Sequence, residues 1–414
     1  MGVHGGRRPA DGPGTHGLTP SSRSAAERRE GWQRLFLRPL RIAQLAPPFE
    51  PVPPRGYGGT ERIVSELTEG LVARGHEVTL FASGDSVTDA KLVPTALVGL
   101  RSGEWSGDPS GFFALTVEEL SHRAEALDLV HGHLEWWNLV LARTVPGVPV
   151  VGTFHTRLDQ PFAQRLLGDS PLAMVAISRS QASQHPDLPW AGIVHNGLSF
   201  ESSGLPVRRT DDLVFVGRIT PEKGILDAIE VARLSGRRLR VVAKEPYLPS
   251  ERDYFQDVFR PAMANADVDL IGELGAEERD RVVGSCHASL MPAAWPEPFG
   301  LTAIESLACG TPVIARRAGA LPEVIREGID GFFGADPPEM AFHLERVGGL
   351  DRSEIRSSVI ERFSATRMVD AYEDLYARVL VARGQSVGLV ADERSRLPAV
   401  ASISDARRMR GAGS

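Results

Sequence analysis

Apolar positions in this chain come in short blocks, and the blocks alternate between two kinds. RIAQLAPP from Arg41, EVTLFAS, VPVVGTFHT, MVAIS and IVHNG are compact apolar runs that end in turn residues, as strands buried in a parallel sheet do. Between the first two lies GYGGTERIVSELTEGLVARGH. It opens on a glycine turn, sets Ile63, Val64, Leu67 and Leu71 on one helical face and stops at Gly75. The alternation resumes at LVFVG, followed by a helix carrying Ile225, Ile229 and Leu234. RRLRVVAKE, VDLIGEL and ASLMPA then read as strands, with ERDYFQDVFRPAMANA and AEERDRVVGSC as helices among them. Strands and helices taking turns predict parallel sheets covered by helices, the α/β class. The last periodic stretch, MVDAYEDLYARVLVARG, is an amphipathic helix through Met368, Tyr372, Leu375, Tyr376 and Leu380.

A chain of 414 residues exceeds one ordinary core, so the two series are expected in two domains. The polar stretch ESSGLPVRRTDD divides them. This sets a first domain over 38–203, a linker over 204–211, a second domain over 212–365 and the closing helix over 366–385. Residues 1–37 and 386–414 carry no sustained period and are expected to be disordered. In the first of these, Trp32, Leu35 and Phe36 sit among Arg28, Arg29, Arg34 and Arg38. They offer weak peripheral contact with an anionic membrane surface, against the plainer readings of a solvated tail or a misassigned upstream start.

Composition narrows the function. A net charge of −7 and a sequence pI near 5.9 argue against a nucleic-acid partner, so any arginine cluster has to act locally. No apolar run approaches the ~20 residues that span a bilayer, and MGVHGGRRPADGPG has no apolar signal core, so a soluble, cytoplasmic protein is expected. Cys286 and Cys309 read as small core residues, without metal-ligand spacing.

The candidate chemistry centres on WPEPFGLTAIESLACGTPVIA, Trp295 to Ala315. A Pro/Gly turn runs into a short helix, which Gly310 and Pro312 stop before the next strand. The amides around Phe299, Gly300, Leu301 and Thr302 are then free to meet an anion at the helix N-terminus. Glu297 and Glu305 bracket that terminus and can take the hydroxyls of the same ligand. A nucleotide diphosphate sugar fits both demands. At the start of the second half, Arg218 and Lys223 lie on a loop entering a helix, a second anion site. Near the beginning, Gly56, Gly58 and Gly59 let a ligand approach the backbone; a nicotinamide-binding reading fails because Glu61 stands where the third glycine belongs. His155 ends a strand, where ligands of open parallel sheets bind. His131, His133 and Glu135 suggest a metal site. The two histidines are expected to alternate to opposite strand faces, which counts against a shared metal and leaves one of them to line a cleft. Trp136 and Trp137 can stack on a sugar or simply pack.

EPFGLTAIESLACGTPVIA resembles the Glu-x7-Glu signature of the retaining glycosyltransferases of family 4. Gly-Arg-x4-Lys-Gly at Arg218 and Lys223 resembles that family's donor diphosphate clamp, and Thr-Phe-His-Thr its active-site histidine segment. The resemblance covers nearly all of 38–385. It implies the GT-B fold: two facing doubly wound Rossmann-like domains, with the C-terminal helix crossing back onto the first. It also implies transfer of a sugar from a UDP- or GDP-linked donor to a small-molecule or glycan acceptor hydroxyl, with retention and without a metal or cofactor. By analogy Glu297 and His155 hold the sugar, Glu305 the ribose, and Gly58 and Gly59 approach the diphosphate across the cleft. The loop Gly272 to Leu274 would meet the base. Two other readings stay open: a glycoside hydrolase using Glu297 and Glu305, and a nucleotide-sugar-binding relative without activity.

Overall fold

The computed structural model describes residues 38–384 apart from 57, 102–104, 106, 201–207, 245 and 247. The expectations for 1–37, including the membrane contact, and for 386–414 lie outside the described residues, as does half of the expected linker. No helix among the described residues is long and apolar enough to cross a membrane.

Two parallel sheets carry the chain. The first contains β1 (Arg41–Leu45), β2 (Glu77–Ser83), β3 (Lys91–Ala96), β4 (Leu129–Gly132), β5 (Val150–Phe154), β6 (Ala173–Ala176) and β7 (Trp190–Ile193). Its order is β3-β2-β1-β4-β5-β6-β7, every pair parallel. The second contains β8 (Leu213–Val216), β9 (Leu239–Val242), β10 (Val268–Gly272), β11 (Ala288–Met291), β12 (Val313–Ala315) and β13 (Gly331–Phe333). Its order, β10-β9-β8-β11-β12-β13, repeats the same winding. These are two Rossmann-like α/β units, as expected. In each, the strand order reverses beside the first strand, at β1/β4 and β8/β11, which is where the crevice of an open sheet lies.

Five helices matter to the site: α1 (Gly59–Ala73), α2 (Ser110–Ser121), α3 (Ile225–Ser235), α4 (Leu301–Ala308) and α5 (Ala365–Ala382). Ile63, Val64, Leu67 and Leu71 of α1 are all fully buried. Helix α5 follows the second sheet in sequence yet packs on α1 and β7 of the first. Its Val369 lies so close to Gly70 of α1 that a Cβ there would stand 2.5 Å from Val369 Cγ2. One apolar cluster takes in Ile177 and Val194 of the first unit, Phe299 and Ile304 of the second, and Tyr372 and Tyr376 of α5.

Two sequence expectations need correction. IVHNG is not the last strand of the first sheet; β7 is Trp190–Ile193, and Val194 to Gly197 leave the sheet. All four β7 residues are partly or fully exposed, so an apolar-run criterion passes over this edge strand. His131 and His133 do not point to opposite faces. Residues two apart on extended backbone share a face, and their rings stand 4.1 Å apart. Both are fully buried beneath the crevice, and neither lines it. Among the described residues no three His, Cys, Asp or Glu side chains group so as to hold a metal ion.

Candidate active site

The loop from β11 to α4 is shaped by glycine. Gly300 caps α4 at φ +95°, in the left-handed region, and a Cβ there would lie 2.7 Å from Leu321 Cδ2. This turn presents the first amides of α4 to the crevice and places Glu297 before the helix and Glu305 inside it. Gly224 makes a second turn at φ +74°, and its Cβ would meet the Pro292 carbonyl at 2.5 Å. The Lys223 loop therefore rests backbone to backbone on the loop that carries Glu297. Lys223 Nζ donates to Glu297 Oε2 at 2.8 Å and Oε1 at 3.1 Å, and stands 4.7 Å from the Trp295 ring centre.

Arg218 leaves the end of β8 and donates to Glu251 at 2.7 Å and Glu222 at 3.3 Å. Both cations of the expected clamp are thus held by carboxylates, and an arriving diphosphate has to share or replace those partners. Glu305 is bound by Arg279 at 3.0 Å and by Arg62 of α1, an ion pair from one unit to the other. A Cβ on Gly59 would come within 3.2 Å of Leu301 Cδ1, so the glycine turn of the first unit touches the α4 N-terminus of the second.

A cleft of about 1120 Å³ lies between the units. Gly58, Gly59, His155, Arg218, Lys223, Glu297, Phe299, Gly300, Leu301, Thr302 and Glu305 all line it. The structure therefore brings these eleven residues together on one cleft. Leu274 of the expected base loop lines it too. Trp136 lines the cleft, whereas Trp137 does not and stacks on Phe113 of α2, rings 5.4 Å apart, packed against the core of the first unit.

Several cleft residues carry no local signature. Arg62 and Arg279 are ordinary helix arginines until the fold sets them against Glu305. Glu135, considered only as a metal ligand, sits at φ +51° and fastens two loops: its carboxylate accepts from the His155 N–H and the Thr156 hydroxyl, each at 3.0 Å. Burial pushes that carboxyl up to about 7, and that of Glu61, at the start of α1, to about 7 as well. Burial also pushes the His155 imidazole down to about 3, so it is neutral at physiological pH. The buried polar atoms Arg157 Nε, Asn196 Oδ1 and Trp295 Nε1 have no partner among the described residues, and all three residues line the cleft. Unpaired buried donors and acceptors suit a ligand rich in hydroxyls. Burial raises the Cys286 and Cys309 thiols to about 11 and about 12, as for inert core residues.

A family model described as glycosyl transferases group 1 matches residues 202–345, and one described as Glycosyltransferase Family 4 matches residues 57–197. The D-inositol 3-phosphate glycosyltransferase of Mycolicibacterium smegmatis is 28% identical over 437 residues, covering 89% of this chain and 96% of that protein. Among solved structures, AviGT4, a glycosyltransferase involved in avilamycin A biosynthesis, superposes with a TM-score of 0.64 at 26% identity, covering 83% of this chain and 98% of the other. Anabaena HepE in complex with UDP-glucose gives a TM-score of 0.62 at 16% identity over 83% of this chain and all of that one, a likeness of fold.

Proposed function

The chain belongs to the glycosyltransferases of family 4 and has the GT-B fold, and on that premise we propose that it transfers a sugar from a nucleoside diphosphate donor to an acceptor hydroxyl with retention at the anomeric carbon. The observation that carries this reading is the convergence of Arg218, Lys223 and the α4 amides on the same cleft wall as Glu297 and Glu305, with His155 on the other wall. The second unit takes the donor, and the first, 38–203, takes a small-molecule or glycan acceptor. UDP-glucose, which HepE holds on the same fold, is the first donor to test.

When the bond to the sugar breaks, negative charge grows on the outer phosphate of the leaving diphosphate. Arg218, Lys223 and the amides from Phe299 to Thr302 stabilise it without a metal, by fixed charge and oriented donors in a site that excludes water. Glu297 orients the sugar hydroxyls, Glu305 the ribose, and His155 the sugar from across the cleft. The acceptor attacks from the face the diphosphate leaves, and the departing phosphate oxygen takes the acceptor proton, which preserves configuration. Closure of the units brings Gly59 and Arg62 onto α4 and seals the cleft.

A glycoside hydrolase using the two glutamates would need one of them protonated as the acid. Glu297 is instead engaged by Lys223, and Glu305 by Arg62 and Arg279, so neither stands free to act as that acid. The test is incubation with a panel of nucleotide sugars and hydroxyl acceptors, with NMR of the product. Release of the nucleoside diphosphate with a glycoside of the donor's own anomeric configuration is expected. An inverted product, or sugar released only to water, would refute it.

A further inference from the structure

Beneath the cleft, one chain of buried hydrogen bonds runs from His155 to the closing helix. His155 Nε2 meets His133 Nδ1 at 2.9 Å, His133 Nε2 meets Gln44 Oε1 at 3.0 Å, and Gln44 Nε2 meets the Tyr376 hydroxyl at 3.2 Å. That hydroxyl meets His131 Nδ1 at 2.7 Å, and His131 Nε2 meets Thr153 Oγ1 at 2.8 Å, which in turn meets the Tyr372 hydroxyl at 2.9 Å. Gln44, His131, His133, Thr153, Tyr372 and Tyr376 are all fully buried.

We propose that Gln44 and Tyr376 are positioning residues that hold His155 in a single tautomer, with Nε2 protonated and Nδ1 bare toward the donor sugar. The proposal rests on the transferase reading for its purpose, though not for its geometry. Its logic follows from donor and acceptor capacity. The Gln44 carbonyl can only accept, so His133 Nε2 carries a hydrogen. Burial keeps His133 neutral, so its Nδ1 is bare and His155 Nε2 has to donate to it. A neutral His155 then has no hydrogen on Nδ1, which has no partner among the described residues. On the other side, the Gln44 amide donates to the Tyr376 oxygen, the Tyr376 hydroxyl donates to His131 Nδ1, and His131 Nε2–H donates to Thr153. If the Gln44 amide turned over, every bond from His155 to Thr153 would reverse. The orientation of the Gln44 amide, with Oε1 on His133 and Nε2 on Tyr376, therefore sets the direction of the whole chain.

The consequence is selective. A bare Nδ1 accepts a hydrogen bond from a sugar hydroxyl and offers none to a phosphate oxygen, so the ring favours the sugar over the diphosphate of the donor. Both tyrosines come from α5, so this orientation depends on the closing helix being seated on the first unit.

The test is long-range proton–nitrogen NMR of the full chain labelled with 15N-histidine, with His155 assigned by its loss in His155→Gln. In the wild type, His155 should show a protonated Nε2 and an unprotonated Nδ1 at neutral pH. In Tyr376→Phe, the pattern should move toward a mixture of tautomers, and kcat should fall by about tenfold with donor KM nearly unchanged, the size expected for one orienting hydrogen bond. Tyr372→Phe, at the far end of the chain, should keep the wild-type pattern. A protonated Nδ1 or mixed tautomers in the wild type would overturn the proposal, and so would an unaltered pattern in a folded Tyr376→Phe. If that variant fails to fold, the wild-type spectrum still decides. A wild type with bare Nδ1 that transfers no sugar would remove the functional reading and leave the relay intact.

Discussion

Charge in the cleft is held in pairs, and the pairs define what single substitutions should do. Glu297 both receives Lys223 and, in the proposed reaction, orients the sugar. Glu297→Gln should therefore lower kcat by about a hundredfold, within the range of one well-placed active-site group, with nucleoside diphosphate affinity kept or raised as Lys223 is released. Steady-state kinetics beside calorimetry would check this. Glu61 makes a different prediction. Its folded-state pKa, about 7, lies above the unfolded 4.5, so the folded chain keeps a proton that the unfolded chain has released across that window. Stability attached to this carboxyl is complete below pH 4.5 and is lost as pH rises through 7, by on the order of 3 kcal/mol. Glu61→Gln should thus gain on the wild type between pH 5 and 8 in urea unfolding; parallel curves would contradict the assignment. The cleft positions of Arg218, Lys223, Glu297 and His155 were legible from local motifs read together with the family resemblance, which carried His155 in particular. Arg62 and Arg279 were not, because their meaning comes from Glu305 on a distant segment. The facing of His131 and His133 was misjudged although the two-residue strand period contains it.

Among the elements, the short helix α4 does more than its eight residues suggest. Its glycine cap turns the amides toward the cleft, and its inward face, Ala303, Ile304 and Leu307, is fully buried. Gly300→Ala should cost about 1–3 kcal/mol, since a left-handed backbone must accept a Cβ that also meets Leu321, and should weaken nucleotide binding by turning the amides away. Denaturant unfolding and calorimetry would show both, and unchanged binding would mean that these amides do not meet the ligand. This helix was readable because its stop at Gly310 and Pro312 and its apolar face are local. Edge strands were less so: β3 contains Pro94, which an edge tolerates, and β7 keeps no buried residue. Both depend on a neighbour for their existence as strands.

At the scale of the whole molecule, the units meet through the shared apolar cluster and through polar contacts around it. Arg62 binds Glu305, Lys244 reaches Glu50 at 3.2 Å, and the Ser178 hydroxyl donates to the Pro298 carbonyl at 2.7 Å. The two crossings between units pair with each other, Leu198 N–H to Phe363 O and Ala365 N–H to Leu198 O, both at 2.9 Å. Arg62→Ala removes an ion pair that ties one unit to the other across the cleft. It should raise the radius of gyration in solution scattering and lower kcat by about tenfold, while unfolding free energy changes by less than about 1 kcal/mol. The two-unit plan was legible from the repeated alternation of strand and helix. The contacts between the units were not, since no local pattern encodes contacts between distant loops. The central claim, that this cleft binds a nucleoside diphosphate and activates it as a leaving group, is tested most directly by calorimetric titration with UDP, GDP, ADP and TDP of the wild type and of Arg218→Ala. The account predicts a preference for one diphosphate that the substitution weakens by about ten- to a hundredfold, the worth of a charged hydrogen bond. A folded wild type that binds none of the four, or a variant that binds equally well, would contradict it.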